Sequence, residues 1–183
     1  MKIILLRHEE RYSDIGFYSN LTDKGVINSC LLGNTLNKYD IDIVFSSPFI
    51  RTLQTIYPFI MKNNYQKKVN CEYALYEYIH NPYFLLGNWY HDICDIEDND
   101  LVQIINPDYK SIIQKSDFQI LENEIQLENR IRPFFDYLLK TYPNKTILLV
   151  SHKGVINKIK DMYVEKTDLN SIYEMGQLEV FSM

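Results

Sequence analysis

Three short apolar runs stand out along the chain: Lys2-Ile-Ile-Leu-Leu-Arg7, Ile41-Asp-Ile-Val-Phe45 and Thr146-Ile-Leu-Leu-Val-Ser151. Each is too short for a core helix and shows little polar alternation. That pattern predicts strands covered on both faces, as in a parallel sheet. Helical patterns separate them. Thr22-Asp23 reads as an N-cap followed by a favourable acid, opening a helix to about Asn37. Ser47-Pro48 reads as an N-cap with proline in the first turn, opening a helix to about Asn64. Residues 122–140 carry an amphipathic pattern with Ile125, Ile131, Phe135, Leu138 and Leu139 among the apolar positions. A helix over about 154–163 follows the third run. Weaker strand patterns lie near Val69-Cys71, Ile172-Tyr173 and Leu178-Phe181.

The alternation predicts an α/β fold: a single three-layer α/β sandwich with a mainly parallel sheet and helices on both faces. No repeat or linker divides residues 1–183, so the expectation is one domain. The stretch at about 82–119 fits neither period and reads as an excursion with short helices, a cap over the site. It holds Trp89 and the acids Asp92, Asp95, Glu97, Asp98 and Asp100.

Composition changes this picture little. The chain has 183 residues, 23% charged and 46% hydrophobic, with a net charge of -5. No basic run points to nucleic acid or an anionic membrane surface. No apolar stretch nears the ~18 residues of a membrane span, and no signal peptide precedes the first strand. Cys30, Cys71 and Cys94 form no C-x-x-C pair, so reduced cytoplasmic thiols are expected and a zinc site is not. Fifteen tyrosines beside a single alanine, Ala74, reflect a biased composition rather than a binding feature.

The chemistry gathers at strand ends. His8 follows the first run, His152 the third, and Ser46-Ser47-Pro48-Phe49-Ile50-Arg51 the second. In open parallel sheets ligands bind outside the carboxyl ends of the strands. Both imidazoles and the Arg7 and Arg51 guanidinium groups are therefore expected on one rim.

Four ordered motifs carry a resemblance across nearly the whole chain. They are Leu6-Arg7-His8, Leu21-Thr22-Asp23-Lys24-Gly25, Ser46-Ser47-Pro48-Phe49-Ile50-Arg51-Thr52-Leu53-Gln54-Thr55 and Ser151-His152-Lys153-Gly154. Together they resemble the histidine phosphatase superfamily of phosphoglycerate-mutase-like phosphatases. The resemblance implies hydrolysis of phosphate monoesters through a phosphohistidine on His8, with no cofactor. The chemistry is coherent by itself. Arg7 and Arg51 present paired donors to phosphate oxygens, and His152 adds another where transition-state charge sits. A neutral His8 can accept the phosphoryl group in line. Two neighbouring guanidinium groups should lower its pKa, and its second ring nitrogen should donate to a backbone carbonyl. With these donors, no metal is expected. The family places an acid beyond the third strand; by position Glu77 is first choice, Glu72 second, and Asp92 and Asp95 remote.

One departure bears on activity. Where the family usually has glycine after the nucleophile, this chain has Glu9, and Asp14 also departs from the mutase branch. A Glu9 side chain beside the phosphate would repel it; turned away, it would pair with Arg11 or Lys24. Two alternatives to a phosphatase follow: mutase-type phosphoryl transfer, for which the chain is short, and a phosphate-binding module disarmed by Glu9. The expected partner is a small phosphorylated substrate or a phosphoprotein. The sequence sets neither the substrate nor an oligomeric state. His80 and His91 are expected to pack against tyrosines or face solvent, and Thr22 and Ser47 to act as caps.

Overall fold

The computed structural model describes residues 1–14, 16–63, 66–82, 91–117, 119–164 and 174–183. Trp89 and the strand expected near Ile172-Tyr173 lie outside these residues. Five strands form one sheet in the order β3-β2-β4-β1-β5: β1 Lys2–Arg7, β2 Ile43–Ser46, β3 Val69–Cys71, β4 Thr146–Ser151 and β5 Leu178–Ser182. The first four are mutually parallel, and β5 runs antiparallel against β1. Ile3, Ile4, Leu5 and Leu6 are all fully buried, as are Ile147 to Val150. Since successive side chains point to opposite faces, both faces of the central strands are covered.

The covering helices are α1 Asp23–Leu36, α2 Ile50–Lys62, α3 Asn99–Ile104, α4 Glu124–Thr141 and α5 Lys153–Tyr163. α1 packs on α2, and α4 on α5, where Phe135 stacks on Tyr163 with ring centroids 4.3 Å apart. In α4 the expected core positions Ile131, Phe135 and Leu138 are buried, but Ile125 and Leu139 are solvent-exposed, the stripe being narrower than their apolarity suggested. β2 begins two residues later than the apolar run. Asp42 still donates its N–H to Thr146 O at 2.8 Å, while its carboxylate accepts from Thr146 N (2.8 Å) and Lys145 Nζ (3.0 Å).

Two motif segments explain the geometry of the rim. Thr22 caps α1, accepting from Gly25 N at 3.0 Å, while its own N–H donates to Glu10 O at 2.9 Å. A Cβ on Gly25 would lie 2.1 Å from Glu10 O, so only glycine lets α1 dock against the chain leaving β1. Ser47 does not cap α2, correcting the sequence expectation. That helix starts at Ile50 with Phe49 as N-cap and no side-chain cap bond. The Ser47 side chain is taken up by the His152 ring instead, its hydroxyl 2.9 Å from Nε2. Among the described residues no helix is long and apolar enough to cross a membrane.

Candidate active site

The strand order sets the site. β4 lies between β1 and β2, so the carboxyl ends of these three strands adjoin and bring together Arg7-His8, Ser151-His152 and Ser46-Ser47. His8 and His152 are almost completely buried, with ring centroids 5.3 Å apart in an edge-on arrangement. His8 Nδ1 lies 2.8 Å from Glu9 O. A carbonyl only accepts, so Nδ1 carries the proton and Nε2 keeps its lone pair. Burial first, then the charge of Arg51 and the His152 ring, hold the His8 pKa well below its ordinary value. Burial thus outranks the guanidinium repulsion expected from sequence.

Arg51, in the first turn of α2, is fully buried under the rim. Its Nη1 donates to Gly16 O at 2.9 Å, and its Nη2 donates to Glu77 Oε2 at 3.2 Å. Its guanidinium carbon sits 4.4 Å from the Phe49 ring centroid. Burial lowers the Arg51 pKa to about 10, which leaves it charged near neutrality. Its Nε is buried without a hydrogen-bond partner among the described residues, a donor available to a ligand oxygen. Arg7 is half-buried at the end of β1, close enough that its charge acts on both Glu77 and His152.

Glu77 closes the constellation. Its Oε2 lies 3.2 Å from His152 Nδ1 as well as 3.2 Å from Arg51 Nη2. Burial alone would raise its pKa, but His152, Arg51 and His8 together hold the carboxyl well below the usual range. Glu77 can accept a hydrogen bond from His152 Nδ1, and the Ser47 hydroxyl lies 2.9 Å from Nε2 on the other side of the ring. Burial lowers the His152 pKa to about 4 despite Glu77. Sequence reasoning missed Ser47 as a ring-orienting group because Ser-Pro is also a helix-start signal.

The remaining candidate acids lie elsewhere. Glu72 is fully buried but spent on structure: it accepts from Tyr109 Oη (2.5 Å), Ser111 Oγ (2.7 Å), Ile112 N (2.8 Å) and Ala74 N (2.9 Å). Asp92 caps the turn Ile93–Asp95 and meets Tyr73, while Asp95 accepts from Asp92 N at 2.6 Å. His91 packs against Tyr18, its ring 4.4 Å away, and His80 stacks on Tyr78 at 5.1 Å.

Glu9 is turned away from these groups. Its Oε2 accepts from Asn28 Nδ2 on α1 at 3.4 Å, and its carboxylate fills the space at Gly176, where a Cβ would lie 2.0 Å from Oε1. Gly176 has φ of +72°, a conformation that suits glycine. Neither Arg11 nor Lys24 pairs with Glu9. Lys24 goes to Glu10 at 3.1 Å, and Arg11 donates to the carbonyls of Tyr12 and Asp14.

His8, Glu77 and His152 offer donor atoms within 4.8 Å of one another, which is metal-like spacing. Yet Arg51 Nη2 already stands 3.2 Å from both Glu77 Oε2 and His152 Nδ1. Two arginines beside the two imidazoles give the rim paired donors of the kind that bind an anion.

The match to known proteins accords with this geometry. Residues 3–177 match the model of the histidine phosphatase superfamily, branch 1. The chain belongs to that superfamily. It is a phosphoric monoester hydrolase of the histidine phosphatase type. Phosphoserine phosphatase 1 of Hydrogenobacter thermophilus is 26% identical over 161 residues, 83% of this chain and 71% of the relative. Among solved structures, a mycobacterial glucosyl-3-phosphoglycerate phosphatase superposes with a TM-score of 0.67 at 16% identity, covering 99% of this chain and 89% of its own. The α-ribazole phosphatase of Shigella flexneri gives 0.65 at 18% identity, covering 98% and 89%. These two likenesses establish the shared fold.

Proposed function

We propose that this histidine phosphatase hydrolyses small phosphate monoesters by metal-independent transfer through a phosphohistidine on His8. The observation that carries the reading is the Nδ1 contact of His8 with the Glu9 carbonyl, which leaves Nε2 unprotonated among donors suited to a phosphoryl group. Arg7, Arg51 and His152 would hold the three non-bridging oxygens and take up charge as the group transfers. In the first step a bond forms from His8 Nε2 to phosphorus, the bond to the leaving oxygen breaks, and Glu77 gives that oxygen a proton. In the second step Glu77 takes a proton from water, the water oxygen bonds to phosphorus, and the bond to Nε2 breaks.

Glu77 is ionised beside Arg51 and His152 in the empty site, so its proton must arrive with substrate. A monoester monoanion, abundant below its second pKa of about 6, carries one. As the phosphate engages Arg51 and His152, their contacts with the Glu77 carboxylate are given up, and the proton passes to it. The phosphoserine phosphatase relative supports a small-molecule substrate. The same reading takes residues 1–183 as one domain with 82–119 as its cap, supported by the Glu72 bonds to residues 109–113 and by Tyr18 donating to Asp95 O at 3.0 Å. Cytoplasmic residence is supported by the unpaired thiols of Cys30, Cys71 and Cys94. Neither the mutase nor the disarmed-module alternative gains an observation here, since Glu9 faces Asn28 and Gly176.

The test is hydrolysis of an aryl phosphate by wild type and His8→Ala, each with and without chelator. Turnover that survives chelator and vanishes in the variant is expected. Loss of turnover with chelator would contradict the metal-independent mechanism, and full activity in His8→Ala would contradict the nucleophile.

A further inference from the structure

Glu77 sits at the end of a tight turn, Tyr73–Leu75 and the residues after it, and the carbonyls of that turn are held from outside. Arg130 of α4 sends Nη1 to Tyr73 O (2.9 Å), Ala74 O (2.9 Å) and Tyr76 O (3.1 Å). The Ser151 hydroxyl, one residue before His152, donates to the remaining carbonyl, Leu75 O, at 2.8 Å. The other edge of the Arg130 guanidinium is fixed by Glu122, with Nε to Oε1 at 2.8 Å and Nη2 to Oε2 at 2.7 Å. Both side chains are 99% buried, each with only 1% exposed. Glu122 is itself anchored two residues past Glu77, its N–H donating to Ile79 O at 2.8 Å.

We infer that Arg130, oriented by Glu122, is a positioning residue that sets where the Glu77 carboxyl meets the leaving oxygen. The inference rests on the reading of Glu77 as the general acid. A buried, bidentate ion pair is a costly way to stabilise a fold, since packed apolar residues do as well or better. What an arginine adds is a planar fork that fixes several acceptors at once, here three carbonyls of the turn that leads into Glu77. A lysine at this position supplies charge to Glu122 but cannot span the carboxylate and three carbonyls together. Displacing an acid by about 1 Å costs on the order of 10²-fold in rate.

A role in positioning the acid differs from a role in folding through its dependence on the leaving group. Phenyl phosphate needs its leaving oxygen protonated, whereas dinitrophenyl phosphate leaves without help. The readout is kcat/KM, which reports steps up to phosphoenzyme formation, for wild type, Glu77→Gln, Arg130→Lys and Glu122→Gln. Glu77→Gln should lose roughly 10²–10⁴-fold on phenyl phosphate and little on dinitrophenyl phosphate. Arg130→Lys should lower the phenyl-to-dinitrophenyl ratio about tenfold or more, with Glu122→Gln moving it in the same direction to a smaller extent. An Arg130→Lys enzyme that loses both activities equally, or neither, beside a selective Glu77→Gln, would overturn the positioning role and leave the acid reading standing. A Glu77→Gln enzyme without selectivity would overturn the acid reading, and the positioning role with it. Should Arg130→Lys fail to fold, Glu122→Gln decides by the same ratio: a selective fall supports the role, and an unchanged ratio overturns it.

Discussion

At the residue scale the main chain fixes the tautomer of the His8 ring. His8 gives its Nδ1 proton to Glu9 O, so the side chain at position 9 is not needed for that bond. The Glu9 carboxylate instead fills the space that Gly176 leaves open. From this it follows that Glu9→Gly should leave aryl phosphate hydrolysis within a few-fold of wild type, because the main chain still accepts from His8. It should also lower thermal stability, since glycine loses about 0.5–1 kcal/mol more in backbone entropy and the carboxylate contacts vanish. A large gain of activity in Glu9→Gly would show that the side chain obstructs the phosphate. Much of this scale was legible in sequence. Arg7, His8, Arg51 and His152 gather at the rim that strand-end placement predicts, and Glu77 joins them from the segment where the family resemblance places an acid. Ser47 and Arg130 were not legible. Ser47 was masked by its resemblance to a cap, and the bonds of Arg130 to the Glu77 turn reach carbonyls more than fifty positions away, where periodicity carries no information.

At the element scale, docking of α1 against the chain leaving β1 depends on close backbone approach. Gly25→Ala would put a methyl group into Glu10 O, a backbone atom that cannot swing aside. Strain of this kind costs about 1–3 kcal/mol, so a lower melting temperature is expected, together with weaker phosphate protection as the His8 loop shifts. A melting temperature equal to wild type would mean that α1 docks more loosely than its contacts with Glu10 indicate. The helix itself was readable from its start signal, Thr22 followed by Asp23. The reason for Gly25 was not, because it lies in a contact across 15 positions rather than in helix propensity.

For the whole molecule, burying two imidazoles and an arginine at one rim couples stability to pH. His152, with a pKa of about 4, and His8, also lowered, bind protons more readily when unfolded. The unfolded chain therefore takes up protons first as pH falls below about 6.5, and the native state loses stability from there down to about 4. The slope for each histidine is on the order of 1 kcal/mol per pH unit. Glu77, held low, loses its contribution in the same direction below the ordinary carboxylate range. Melting temperatures across pH 7 to 4 should fall, and vanadate or phosphate should restore part of the loss by pairing with the protonated rim. A flat profile would contradict buried, neutral histidines. The sheet order that creates this rim was not legible: apolar runs mark strands, but nothing local says that β4 inserts between β1 and β2.

The central claim is that His8 carries the phosphoryl group. Rapid mixing with an aryl phosphate, alkaline quench and peptide mapping measures it most directly. The account predicts one acid-labile, alkali-stable phosphoryl group on the peptide containing His8, formed in a burst and absent from His8→Ala. Phosphorylation of His152, or a burst without any phosphorylated histidine, would contradict it.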